Sequence, residues 1–280
     1  MTNQTLFTEI SRDCSRNTTE KYSTSFSSAI KLLHKDLRQP IHDIYGFVRF
    51  ADEIVDTFHN YPKKDLLNEF KSETFKAIER GISLNPILNS FQDTVNTYKI
   101  DLDLIESFLY SMEMDLNETQ YDRKGYEKYI YGSAEVVGLM CLHVFCEGNK
   151  TMYEKLKPGA KSLGAAFQKV NFLRDVKADY EGLSRMYFPN CDFKNFTLKD
   201  KVEIEKDIQF DFDNAYLAIT QLPIKARFGV YVAYKYYLSL FVKIKHVEPQ
   251  AILNTRIRIP DYSKMYILAK AGVRSHLNIL

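Results

Sequence analysis

The 280-residue chain has no tryptophan, only 11 glycines and 8 prolines, and just four cysteines. So few chain breakers, with almost no period-two runs between turn dipeptides, exclude a sandwich, a barrel or a βαβ array and predict an all-α fold. Cys14, Cys141, Cys146 and Cys191 form no CxxC pair and stand at no metal-ligand spacing from the six histidines, which excludes a zinc module and fits a reducing cytoplasm. Charge of one sign is lacking too. The 38 basic and 36 acidic residues leave a formal +2, no footprint for nucleic acid, so any anionic ligand is expected to be met locally. No apolar run approaches the ~20 residues that span a bilayer. The residues from Met1 to Asp13 lack the basic flank and apolar core of a signal peptide, and no anchor is expected in Ala269 to Leu280. A cytoplasmic protein is expected, at most peripheral to the inner face of the membrane.

What is present is helical periodicity over a 45% hydrophobic chain, enough to bury one large core without staples. Neither linker nor repeat divides it, so residues 1–280 are expected as a single domain, with residues 1–20 partly flexible. Leu66, Leu67, Phe70, Ala77 and Ile78 mark an amphipathic helix, closed by Gly81 as a left-handed cap. The aromatic-rich stretch 229–245 keeps Val230, Tyr234, Tyr237, Phe241 and Ile244 in helical phase and predicts a buried helix. An irregular segment is expected over 181–196, after which Thr197 and Asp200 make a capping box.

Two polar stripes lie on apolar helices. Tyr45, Arg49, Asp52 and Asp56 are spaced by four, three and four residues, which lines them along one helix face. Ile44, Phe47, Val48, Phe50, Ala51, Ile54 and Val55 fill the other faces, so the stripe itself is expected to point into a cavity. Gln168, Asn171, Asp175 and Asp179 repeat the pattern at three, four and four. Either stripe alone could be a solvated face. Asp is a poor helix-interior residue, however, and like charges at i and i+4 repel, so two such pairs suggest that a cation neutralises them. Oxygen ligands without His or Cys point to Mg2+, or Mn2+, and Mg2+ characteristically shares its shell with waters and substrate phosphates. No GxxxxGK[ST] loop is present, while Arg49, Arg174 and Arg185 are near enough in sequence to clamp phosphate oxygens.

At these residues the chain resembles the squalene and phytoene synthase family. The first motif reads Tyr45-Gly46-Phe47-Val48-Arg49-Phe50-Ala51-Asp52-Glu53-Ile54-Val55-Asp56, and the second runs from Gln168 through Asn171, Arg174 and Asp175 to Asp179, followed by Arg185, Tyr187, Phe188 and Pro189. Weaker matches are Tyr22-Ser23-Thr24-Ser25-Phe26, Tyr129 with Ala134 to Gly138, and Tyr237 with Arg256. Two departures are Glu53, where the family often has Asp, and one extra residue between Asp179 and Arg185.

The resemblance implies a helical bundle around a central cavity. It implies that Asp52, Asp56, Asn171, Asp175 and Asp179 form the metal sites, and that Tyr45, Arg49 and the four aspartates carry the catalysis. It further implies that Tyr22, Ser23, Thr24, Ser25, Gln168, Arg174, Arg185, Tyr187, Tyr237 and Arg256 join Tyr45 and Arg49 in holding substrate. The expected activity is head-to-head condensation of two geranylgeranyl diphosphates to phytoene. Farnesyl diphosphate, giving squalene or diapophytoene, is the alternative, and NADPH is expected only if the product is squalene. A non-catalytic assembly factor with the same fold is the alternative of another class, and the four intact aspartates speak against it.

Overall fold

The computed structural model describes residues 2–117, 121–182, 187–189, 196–252, 257–260, 267–268 and 270–271, with the side chains of 177–182 left out. Among the described residues there is no strand. The helices are α1 (Asn3–Tyr22), α2 (Thr24–Ile30), α3 (Lys35–Asp56), α4 (Lys63–Arg80), α5 (Pro86–Tyr98), α6 (Leu102–Asn117), α7 (Arg123–Ile130), α8 (Val136–Cys146), α9 (Lys150–Gly182), α10 (Leu198–Ile219), α11 (Ile224–Lys245) and α12 (Pro249–Ile252).

Local signals set several of these ends. Asn85 accepts from the backbone of Ile87 and Leu88, with Pro86 in the first turn where its missing N–H costs nothing. Gly81 closes α4 at φ 70°, as its sequence predicts. Thr197 and Asp200 form the expected capping box. The aromatic stretch 229–245 lies within α11, whose Tyr231, Val232 and Phe241 are buried. At the centre of the bundle Phe47 of α3 stacks on Phe91 with ring centroids 4.0 Å apart, and Phe70 and Phe108 close around it.

Two expectations are corrected. Residues 1–20 are expected to be partly flexible, whereas Asn3–Tyr22 form a helix packed on α3 and α5. Its buried residues are Ser11, Ser15 and Thr19; Asn89 donates to the Ser11 hydroxyl, Ser15 and Ser90 share a hydrogen bond, and Thr19 donates to the Ser15 carbonyl. The second correction concerns long apolar runs. Arg123–Cys146 is helical throughout, with a π-helical turn at Tyr131–Glu135, and at mean hydropathy 1.4 is long and apolar enough to cross a bilayer. The bundle buries 67% of its most apolar 18-residue stretch, so it serves here as a core helix.

Glycines let α8 and α9 cross backbone to backbone. A Cβ on Gly138 would stand 2.7 Å from the Ala160 carbonyl oxygen, and one on Gly164 would stand 2.4 Å from that of Ala134. This close crossing forms part of a cavity wall.

Candidate active site

A cavity of about 610 Å3 runs between α2, α3, α8, α9 and α11, and it is graded from apolar to polar. Along α3 its wall passes from Ile41 through Tyr45 and Val48 to Arg49, Asp52 and Asp56. Along α9 it passes from Leu156 and Leu163 through Phe167 to Gln168, Asn171 and Asp175. Both stripes therefore occupy the C-terminal halves of their helices and face one common space, with apolar side chains filling the N-terminal halves.

The arginines are held by carboxylates of their own helices. Arg49 bonds Glu53 one turn on and stands 3.9 Å from Asp52, while its guanidinium lies 4.3 Å from the centre of the Tyr22 ring. Arg174 grips Asp175 through Nε at 3.0 Å and through Nη2. Asn171 donates to Gln168 at 3.5 Å and leaves its own Oδ1 buried without a hydrogen bond. Burial pushes the Tyr45 phenol up to about 12, against the nearby Arg49 charge, and raises the Tyr237 phenol against Arg174. Both phenols stay protonated at neutral pH and can donate. Tyr237 stacks on Phe167 at 3.9 Å, and Tyr45 stacks on Phe26 at 5.4 Å.

Of the other expected site residues, Tyr22, Ser23 and Tyr187 line the cavity. Thr24 and Ser25 do not, because α2 turns residues 23, 26 and 30 toward it and leaves Thr24 exposed. The Asp179 side chain, Arg185 and Arg256 lie outside the described residues. Among the described residues no three His, Cys, Asp or Glu side chains converge on one metal position.

Two wall residues escape a reading of the sequence. Asp115, only 9% exposed, accepts the Tyr129 hydroxyl at 2.7 Å, and burial beside that carboxylate raises the Tyr129 phenol well above 10. The Ser133 hydroxyl is buried without a hydrogen bond in the π-helical turn. Tyr129, Phe172 and Tyr187 stack beside them, with Phe172 and Tyr187 4.0 Å apart. Asp115 sits among Met112, Glu113 and Met114 as in any amphipathic helix, and nothing in its spacing marks it.

Comparison with known proteins agrees with this geometry. The family model described as "Squalene/phytoene synthase" matches residues 19–263. The 4,4'-diapophytoene synthase of Staphylococcus haemolyticus is 28% identical over 66% of this chain and 65% of its own length. The phytoene synthase of Arthrospira platensis is 26% identical over 94% of this chain and 92% of its own. Against the first of these, and against the chloroplastic phytoene synthase 1 of Solanum lycopersicum at 59%, the chain spans about three fifths of the relative's length. A solved dehydrosqualene synthase superposes with a TM-score of 0.81 over 98% of both chains at 20% identity, which shows a shared fold. With a family match over most of its length, and with the described residues Asp52, Asp56, Asn171 and Asp175 of the two motifs lining one cavity, the chain belongs to the squalene/phytoene synthase family.

Proposed function

We propose that this chain is a prenyltransferase that joins two geranylgeranyl diphosphates head to head to give phytoene through a cyclopropylcarbinyl diphosphate. The observation that carries this reading is that Asp52 and Asp56 of α3 and Asp175 of α9 line one end of a cavity whose wall toward the N-terminal halves of both helices is apolar. A polar end and a greasy arm match a ligand with a diphosphate head and a polyprenyl tail. The donor set fits Mg2+. Asp52, Asp56, Asn171 and Asp175 offer hard oxygens, and since no three acidic side chains converge among the described residues, an ion would complete its shell with waters and phosphate oxygens. When bound, Mg2+ supplies Lewis-acid stabilisation of the departing diphosphate.

The chain's own residues would do the rest. Arg49 and Arg174 take part of the negative charge that grows on the leaving group, and the Tyr45 and Tyr237 phenols donate hydrogen bonds to it. Apolar side chains from Leu156 to Phe167 exclude water from the cationic carbons formed in each half-reaction, and the faces of Phe172 and Tyr187 steady their charge. The greasy substrate and product make contact with the inner face of the membrane, by a protein of the cytoplasm, part of this reading.

Farnesyl diphosphate as the substrate is the second reading. It is favoured by the match to a diapophytoene synthase and by the superposition on a dehydrosqualene synthase. Purified protein with Mg2+ is incubated separately with C15 and C20 diphosphates, with and without NADPH, and the hydrocarbons are identified by mass spectrometry. Phytoene formed without NADPH is the expected result. A C30 product keeps the chemistry and changes the substrate, with NADPH dependence distinguishing squalene. No consumption of either substrate by folded protein leaves the non-catalytic alternative.

A further inference from the structure

A second, outer pocket of about 240 Å3 lies at the start of α9, lined by Asn149, Thr151, Met152, Lys155, Leu156 and Gln221. Leu156 alone belongs to the walls of both this pocket and the main cavity. It is 2% exposed, so it is a closed partition rather than a gap. Next to it, Leu222 faces the main cavity while its neighbour Gln221 faces the outer pocket, its amide tied to the Leu217 carbonyl at 2.9 Å. The barrier at this point is one side chain thick.

Leu142, Phe145 and Ile219 also line the main cavity and do not border the outer pocket. A chain growing toward the N-terminal end of α9 meets Leu156, with the outer pocket beyond it. The outer pocket would add about two fifths to the volume of the main cavity. Its lining of Met152, Leu156 and the stems of Lys155 and Gln221 can take a hydrocarbon end whose tip nears water.

We propose that Leu156 is the end wall of the apolar arm and sets the longest chain the protein accepts, with the outer pocket as the space a longer chain enters once that wall is removed. The inference rests on the proposed function only for the ligand's nature, an unbranched run of isoprene units.

The test measures binding rather than turnover. Linear prenyl alcohols of C15, C20 and C25 are titrated calorimetrically into the full chain without metal or diphosphate, giving the length beyond which affinity stops rising. Leu156→Ala is expected to move that limit outward by one isoprene unit, with the first alcohol beyond the wild-type limit binding on the order of tenfold tighter. Leu142→Ala, which enlarges the main cavity without opening the partition, is expected to leave the limit in place. Leu156→Val is the milder companion should the alanine variant not fold, and it is expected to move the limit in the same direction. An unmoved limit in the Leu156 variants, or an equal shift in Leu142→Ala, overturns the assignment. A shifted limit in protein that consumes no diphosphate would leave the wall standing and remove the proposed function. Turnover with an unmoved limit would do the reverse.

Discussion

Asp43 is the most exposed to test of the buried groups that the proposed chemistry does not use. It lies on α3, 2% exposed, and its carboxylate accepts from Gln39 Nε2 at 2.8 Å and from the Thr94 hydroxyl at 2.8 Å, with Ser90 nearby. Those donors are neutral. The nearest cation, Arg12, is already paired with Asp93 at 2.9 Å. Burial therefore dominates and pushes the carboxyl from 3.8 up to about 7, against the pull of the hydrogen bonds and of Arg12.

A folded-state pKa above the unfolded one means that the native chain binds the extra proton. The contribution to stability is full below about pH 4 and is lost as pH rises through about 7. At 1.36 kcal/mol per unit, the loss is on the order of 4 kcal/mol by pH 8. Asp43→Asn keeps the shape of the neutral acid and removes the titration. Urea unfolding of both proteins from pH 4 to pH 8.5 gives the difference in stability free of other groups. That difference should be small at pH 4, grow steadily to pH 7 in favour of the variant, and level off above. A difference independent of pH, or one that grows in the opposite direction, would refute the claim that burial controls this carboxyl.

The adjacent His42 should behave as the mirror case. Burial, acting with Arg16 and Lys31 against Glu20, lowers it from 6.5 to about 4, so stability is lost as pH falls from 6.5 toward 4. Relative to His42→Leu, wild type should lose on the order of 3 kcal/mol across that interval in the same urea assay. Gly164→Ala places a methyl 2.4 Å from the Ala134 carbonyl oxygen, and the forced separation of α9 from the π-helical turn before α8 should lower stability by about 1–3 kcal/mol in thermal unfolding despite the better helix propensity. Asp52→Asn and Asp175→Asn should leave thermal unfolding within about 1 kcal/mol of wild type while lowering turnover of a prenyl diphosphate at least about 100-fold, and chelation of Mg2+ should do the same to wild type. Unaltered turnover in either variant would remove that carboxylate from the proposed chemistry. Calorimetric titration with inorganic pyrophosphate should show binding that strengthens markedly when Mg2+ is present, and equal affinity without it would count against a shared metal and phosphate site.

Most of the fold was legible because its helices are written in apolar periodicity with caps at their ends. Gly81, the Thr197 and Asp200 box, and the phase of Val230, Tyr234, Phe241 and Ile244 all found their places. What was not legible shares one cause. The first helix buries Ser11, Ser15 and Thr19, of which Ser11 and Ser15 hydrogen-bond to side chains of α5 about 75 residues away while Thr19 donates to the Ser15 carbonyl. Apolar periodicity cannot register a polar buried face. Asp43 is hidden in the same way, since its partners Ser90 and Thr94 are set by tertiary packing, and so is Asp115, whose partner Tyr129 lies on α7.

The two stripes were legible for the opposite reason, because a carboxylate pair kept on an otherwise apolar helix needs an explanation in the sequence itself. Glu53 shows where that reasoning stops. By its spacing it is a second acid beside Asp52, a departure from the family pattern that keeps charge. In the structure its longer side chain reaches back along α3 to Arg49 and stands off the cavity wall, while Asp52 and Asp56 face inward. Arg174 is likewise held by Asp175. Each arginine thus has a carboxylate to give up before it can take a phosphate oxygen, and that exchange replaces one charge-assisted bond by another of similar strength. Little binding energy comes from the arginines unless the released carboxylate is itself neutralised. A divalent cation at Asp175 would meet that condition and leave Arg174 to turn toward the ligand, so a paired resting site is itself a reason for metal and diphosphate to bind together.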